Sequence, residues 1–233
     1  MGIFAGPDAV ENSLVLALDA GNTKSYPGSG TTWTNLSSRS NTGTFTNGPT
    51  YSSSDGGSII LDGVNDYVDF SSGFTTLDLK DKTLQCWIKK TGSSAKGIID
   101  KDFDNGAPNY GGWGLWIQAN NKLWWWNHAN KDLLDDGSLS VTSGSWTNVA
   151  VTYNNTTKTA KFYINATLNS TKTDATIVEQ SSSSAKLVVG STRDGTASFC
   201  FDGNIAAVVA YPRVLSDSEI QQNFNALRGR FNI

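Results

Sequence analysis

GWGLWIQANNKLWWWNHAN, residues Gly112 to Asn130, holds five of the chain's eight tryptophans and its only histidine. Successive residues of a strand point to opposite faces, so a hairpin made from this stretch sorts its side chains according to loop length. A three-residue connection, Ala119-Asn120-Asn121, sets Ile117 opposite Leu123 and Leu115 opposite Trp125, all four on one face. The same register sets Gln118 against Lys122, Trp116 against Trp124 and Gly114 against Trp126. A two-residue turn would oppose Gln118 to Leu123 and mix polar with apolar residues on both faces. Register follows the hydrophobic pattern, so the three-residue loop is predicted, and the run of three tryptophans divides. Trp125 goes to the core with Leu115, Ile117 and Leu123. Trp116, Gln118, Lys122, Trp124, Trp126 and His128 form the other face, the candidate ligand or partner face.

Each tryptophan can bury about 150–250 Å², and three left bare would approach or exceed the few hundred Å² of apolar patch that monomers expose. A cover is therefore expected. It is a sugar stacked on the indoles, with Gln118, Lys122, Asn127 or His128 bonding hydroxyls, or another protein chain, since tryptophan is enriched at interface hot spots, or the chain's own loops. The arm Met1–Asn12 and the Gly/Pro loop Ser25–Thr32 are the candidates for the last.

Outward from this hairpin the sequence reads as short alternating strands between Gly, Asn, Asp and Ser clusters, the pattern of an antiparallel sandwich. The predicted strands are Leu14–Leu18, Ser58–Leu61, Tyr67–Phe70, Thr83–Lys89, Gly97–Ile99, Trp113–Gln118, Lys122–Asn127, Trp146–Tyr153, Ala160–Asn165, Lys186–Val189 and Gly203–Tyr211. Turns fall at Asp62-Gly63, Asn154-Asn155 and Asp194-Gly195, and Ser181–Ser184 reads as a solvated loop. One helix is predicted: Ser216-Asp217-Ser218-Glu219 fits a capping box, Ile220, Phe224 and Leu227 recur at helical spacing, and Gly229 is the expected stop. The fold class is all-β, an antiparallel β-sandwich with one short C-terminal helix. It is organised as an N-terminal arm, residues 1–12, and a single domain, residues 13–233.

The 233 residues carry a net charge of −3, which gives no electrostatic reason to expect nucleic acid or anionic lipid as partner. No run approaches the ~20 apolar residues of a membrane span, and the start, MGIFAGPDAVENS, lacks the basic head and apolar run of a signal peptide. A soluble protein without a secretory leader is expected. Cys86 and Cys200 stand in no metal-binding spacing and are expected as buried thiols, with a disulfide as the alternative.

Seven blocks resemble the laminin-G-like branch of the concanavalin A-like lectin/glucanase jelly rolls. They are LVLALDAGN (Leu14–Asn22), SIILDGVNDYVDF (Ser58–Phe70), TLQCWIKK (Thr83–Lys90), GIIDK (Gly97–Lys101), SWTNVAVTYN (Ser145–Asn154), KFYINA (Lys161–Ala166) and GNIAAVVAYPRVLSDSEI (Gly203–Ile220). They span nearly the whole chain in the family's order, which implies a jelly roll over 13–233. Trp87 and Trp146 resemble the family's core positions, and Trp33 lies near a turn. The opening LALDAGNTKSYPGSGTTWTNLS (Leu16–Ser37) and the closing LRGRFNI (Leu227–Ile233) look like domains of tailed-phage virion proteins. That resemblance implies a phage particle as location, assembled in the host cytoplasm, with other virion proteins or further copies of the chain as partners.

Such folds host enzymes, lectins and structural modules, so function is read from residues. Glucanases of the superfamily resemble one another in Glu-x-Asp-x-x-Glu, whose two carboxyls work roughly 5 Å apart in retaining hydrolysis. Here the glutamates are Glu11, Glu179 and Glu219, in the arm, a Ser-rich loop and a helix cap, and the motif is absent. Asp135 and Asp136 are adjacent and would point to opposite sides of a strand, and His128 has no nucleophile motif beside it. A non-enzyme is expected.

Asp100, Asp102 and Asp104 follow a predicted strand at alternate positions, which suits a hard cation such as Ca²⁺. An EF-hand it is not: Gly106 comes one place late and the twelfth position is Gly111. The choice lies between a calcium loop and a solvated polar hairpin, with no cofactor expected otherwise. Relatives carry an acidic residue in the strand after Gly-Asn-Ile that can anchor a structural calcium. In this chain that strand reads Ile205-Ala206-Ala207, which puts such a site in doubt whatever Asp19 contributes. The expected role is a virion-associated decoration or attachment module acting through protein–protein contacts, and the alternative is a lectin-like domain that binds a host surface glycan on the aromatic face.

Overall fold

The computed structural model describes residues 8–39, 41–72, 74–78, 80–104, 110–127, 132–178, 185–192 and 199–233. In chain order the strands are β1 Leu16–Asp19, β2 Thr32–Thr34, β3 Thr42–Thr46, β4 Thr50–Ser52, β5 Ser58–Asp62, β6 Tyr67–Ser72, β7 Lys82–Lys90 and β8 Lys96–Asp104. They continue with β9 Tyr110–Ile117, β10 Leu123–Asn127, β11 Leu133–Leu134, β12 Thr147–Asn154, β13 Thr159–Ile164, β14 Thr167–Thr173, β15 Lys186–Val189 and β16 Asp202–Tyr211, before helix α1 at Asp217–Leu227. Two antiparallel sheets result. The first has the order β14-β13-β12-β7-β16-β5-β4, with β1 added to β16, and the second β11-β10-β9-β8-β15-β6-β3-β2. The sandwich and its single α-helix are as the sequence predicts.

The alternation of apolar residues drives this arrangement. Leu84, Cys86, Ile88, Val149, Val151, Ile205 and Val208 from the first sheet meet Val68, Ile99, Leu115, Leu123, Trp125 and Val189 from the second in one continuous core. β16 is long enough to serve two partners on one side. Its start pairs with β5 and its end with β1, while β7 follows nearly its whole length on the other side. Cys86 and Cys200 are both buried thiols, not joined in a disulfide. Trp33 is fully buried in this core.

A second core lies on the outer face of the first sheet, under α1. Trp87 is sandwiched between Phe224 (5.5 Å, 14°) and Phe231 (4.3 Å, 25°), and Trp146 packs on Phe231. Trp87 and Trp146 are thus core residues of the helix layer, not of the sandwich interior. Ser216 caps α1, and both halves of the capping box form. Gly229 does not stop the helix as expected. The chain tightens into a 3₁₀ turn at Arg228–Phe231, and the left-handed residue that ends it is Asn232, at φ 56°.

The described part of the arm, from Asp8 on, belongs to this layer. The Val10 N–H donates to Asn223 Oδ1 (2.8 Å), and the Tyr211 hydroxyl donates to the Val10 carbonyl (2.7 Å). Asn223 Nδ2 donates to Gln85 Oε1 (3.0 Å), and Gln85 Nε2 to Asn148 Oδ1 (2.8 Å), so helix, arm and sheet share one buried hydrogen-bond network. Among the described residues no helix is long and apolar enough to cross a membrane.

Candidate functional site

The β9–β10 hairpin closes through Ala119-Asn120-Asn121. The Gln118 N–H donates to the Lys122 carbonyl (2.8 Å), the Lys122 N–H donates to Asn120 Oδ1 (3.0 Å), and Asn121 takes the left-handed conformation at φ 64°. Asparagine tolerates that region better than most residues because its short side chain can bond locally. The loop sets the pairs Ile117–Leu123, Trp116–Trp124, Leu115–Trp125 and Gly114–Trp126, the register that the apolar pattern demands. Trp125 goes inward, stacked between Trp113 (6.0 Å, 8°) and Tyr153 (5.1 Å, 24°).

Trp116, Trp124 and Trp126 share the outer face of the second sheet and form one cluster. Trp126 stacks on Trp116 at 5.3 Å and 21°, Trp124 leans on Trp116 at 5.2 Å and 59°, and Trp124 and Trp126 meet at 4.9 Å and 74°. Trp116 is the buried member, 2% exposed, while Trp124 and Trp126 are half-buried. The Trp116 Nε1–H donates to Asp100 Oδ2 at 2.8 Å. Asp100 reaches it from β8, directly across from Gly114.

The other predicted members of the face take different places. Gln118 Nε2 donates to the Leu123 carbonyl (3.2 Å), and Lys122 Nζ donates to the carbonyls of Gly137 (2.6 Å) and Leu139 (2.5 Å). Both therefore brace the hairpin and the segment after it. Asn127 is buried. His128 lies outside the described residues, as do Glu179, Ser181–Ser184 and the Asp194-Gly195 turn. Phe199, 37% exposed, joins the cluster with its ring 5.0 Å from that of Trp116. The sequence signal for it is the alternation Phe199-Cys200-Phe201, which sends Phe201 and Phe199 the same way only if the strand is regular. In fact Phe201 is fully buried and Phe199 is not.

The expected covering loops lie elsewhere. The described part of the arm packs under α1 on the other sheet. The loop Ser25–Thr32 stays by β3, where Tyr26 stacks on Phe45 at 5.2 Å, four strands from β9. Among the described residues, Phe199 stands against Trp116 and Asp132 lies against the Trp124 side chain, so the cover comes from these and from the indoles' own packing.

Asp100 and Asp102 do not sit in a loop after a strand. β8 continues through both to Asp104, and both side chains are buried. Asp100 is engaged by Trp116. Among the described residues no group of three His, Cys, Asp or Glu side chains is placed to hold a metal ion, the Asp104 side chain not being among those described. Asp19 is taken up by Arg230, whose Nη1 donates to Asp19 Oδ1 at 2.5 Å, and Ala206 and Ala207 are buried against the helix layer.

Glu219 is held by the two Arg213 guanidinium nitrogens (2.6 and 2.9 Å) and by the Ser216 backbone N–H. The Arg213 hydrogen bonds pull its carboxyl down to about 2. Glu11 is exposed in the arm.

A concavity of about 690 Å³ lies between α1 and the outer face of the first sheet, with Ala17, Asp19, Trp87, Ala207, Leu227 and Arg230 among its walls.

Two antiparallel sheets, a helix laid on one and an aromatic cluster on the outer face of the other define a jelly-roll domain of the lectin-like class. The chain belongs to the concanavalin A-like lectin/glucanases superfamily, residues 62–221 matching its Laminin_G_3 family. Among curated proteins none matches the sequence. Among solved structures, domain 4 of AbnA, an extracellular arabinanase of Geobacillus stearothermophilus in complex with arabinotriose, is similar at 15% identity and a TM-score of 0.67. That match covers 91% of this chain and 98% of that one. Trypanosoma rangeli sialidase in complex with sialic acid is similar at 14% identity and a TM-score of 0.67 over 97% of this chain. The botulinum neurotoxin serotype D binding domain gives 18% and 0.65 over 92%. The chain spans about a third of the sialidase (35%) and about half of the toxin domain (52%).

Proposed function

We propose that the chain is a non-enzymatic binding module that takes a carbohydrate on the indole face of the second sheet. The observation that carries this reading is the pair Trp124 and Trp126, half-buried, propped on a Trp116 that is itself fixed from below. Indole faces stack against the apolar faces of sugar rings, and a rigid aromatic surface loses little conformational freedom on binding. The likeness to AbnA domain 4, matched over nearly its whole length and in complex with arabinotriose, supports the reading. The non-enzymatic part is supported by the two glutamates among the described residues: Glu219 is taken up by a helix cap and an arginine, and Glu11 lies in the arm, so neither offers a carboxyl to a sugar in a groove. A fluorescence titration over a glycan array tests the proposal. A saturable change lost in Trp124→Ala is expected, and no hit, or a hit indifferent to that substitution, would overturn it.

A second reading, a decoration or attachment module of a tailed-phage particle acting through contacts with virion proteins or further copies, is favoured by a different observation. The two blocks that resemble phage virion domains, Leu16–Ser37 and Leu227–Ile233, are joined in space. Arg230 donates to Asp19 and to the Asp55 and Gly57 carbonyls. Copurification with capsid or tail proteins, without sugar binding, is the outcome this reading expects. The two readings coexist if the module is the adhesive part of a particle.

A further inference from the structure

Resting on the carbohydrate reading above, we infer that the indole face grips a single terminal sugar residue and that Asp100 is the positioning residue that keeps the grip in shape. A surface for an internal stretch of polysaccharide needs aromatic faces that are nearly coplanar, so that successive sugar rings can lie along them. Here the two half-buried indoles meet at 74° with centroids 4.9 Å apart. One ring offers a floor and the other stands beside it as a wall. A sugar ring can lie on the floor with its edge against the wall, but the chain can then continue only away from the wall. The occupant is therefore a chain end with one apolar ring face.

The corner depends on what lies under it. Trp126 is stacked on Trp116, and Trp116 is held by its indole N–H to the buried Asp100 carboxylate. That bond passes over Gly114. A Cβ there would stand 2.3 Å from Asp100 Oδ2 and 2.6 Å from Trp116 Nε1. Asp100, Gly114 and Trp116 thus form one device: an acceptor, a gap and a donor ring that supports the half-buried pair. Asp100 is fully buried, and its action on the ligand is through Trp116.

The test is a titration with arabino- and gluco-oligosaccharides of one to five residues and the methyl glycosides of their monomers, followed by tryptophan fluorescence, with near-UV circular dichroism of the stacked indoles alongside. Affinity is expected to reach its full value by one or two residues and stay flat. A steady rise with each added residue would overturn the terminal-residue inference while leaving carbohydrate binding intact, and no binding by any glycan, on these ladders or on the array, would overturn both. Asp100→Asn should weaken binding about five- to tenfold across the ladder, the order expected for weakening one charge-assisted hydrogen bond, and should alter the indole dichroism with little change in melting temperature. Gly114→Ala should weaken it further with the same spectral change. Trp116→Phe, which keeps a ring but removes the donor, serves where either variant folds poorly and should resemble Asp100→Asn. Wild-type affinity and an unchanged indole spectrum in these variants would overturn the role of Asp100.

Discussion

At position 114 a hydrogen stands where any other residue would place a carbon 2.3 Å from the Asp100 carboxylate. Strand alternation in the sequence puts Trp116, Trp124 and Trp126 on one face and Trp125 on the other, because that assignment needs only the period of two and the apolar pattern. The partnership of Asp100 with Trp116 is not legible in the same way. It depends on β8 running past Ile99 and pairing Asp100 with Gly114, and a local reading of alternating aspartates suggests a cation loop instead. The division of the tryptophans has a measurable consequence. Trp125→Ala, removing a fully buried ring stacked between Trp113 and Tyr153, should cost about 3–5 kcal/mol in urea unfolding, while Trp124→Ala should cost under about 1 kcal/mol. Equal costs would contradict the assignment of faces.

The elements that the sequence reveals are those with alternating apolar residues. β7, β12 and β16 are recovered within a residue or two, and β15 at both ends. The missed strands are TWT, TGTFT, TYS, LL and TLNSTKT, β2, β3, β4, β11 and β14, which are short or rich in Thr, Ser and Gly. β14 is an edge strand with no buried side chain, so neighbours in space, and not its own pattern, make it a strand. Helix α1 is legible because its cap is local chemistry. Ser216→Ala should cost about 1 kcal/mol, measured by thermal or urea unfolding. The Glu219 carboxyl is pulled down to about 2 from an ordinary 4.5. A carboxyl depressed in the folded state contributes stability that is present above its unfolded value and is lost as pH falls toward its folded one. The melting temperature of the wild type should therefore fall more steeply between about pH 4.5 and 2 than that of Glu219→Gln, and parallel curves would contradict the Arg213–Glu219 pairing.

For the molecule as a whole, the jelly roll is legible but the second core is not. Trp87, Trp146, Phe224 and Phe231 meet only because α1 folds back over the first sheet, and Val10, Tyr211, Asn223, Gln85 and Asn148 come together from segments up to 213 residues apart. The described part of the arm, read in the sequence as a candidate cover for the indole face, is clamped there, on the opposite sheet. Asn223→Ala should cost about 3 kcal/mol, since it leaves several buried partners unmet, and should speed proteolysis near Glu11 and Asn12. Unchanged cleavage would show that the arm is held by something else. That the half-buried pair Trp124 and Trp126 is a carbohydrate face is tested most directly by titrating wild type and Trp124→Ala against the same glycan array under tryptophan fluorescence. The account predicts saturable binding in the wild type, lost in the variant, with matching melting curves. Binding that survives Trp124→Ala, or none in the wild type, would contradict it.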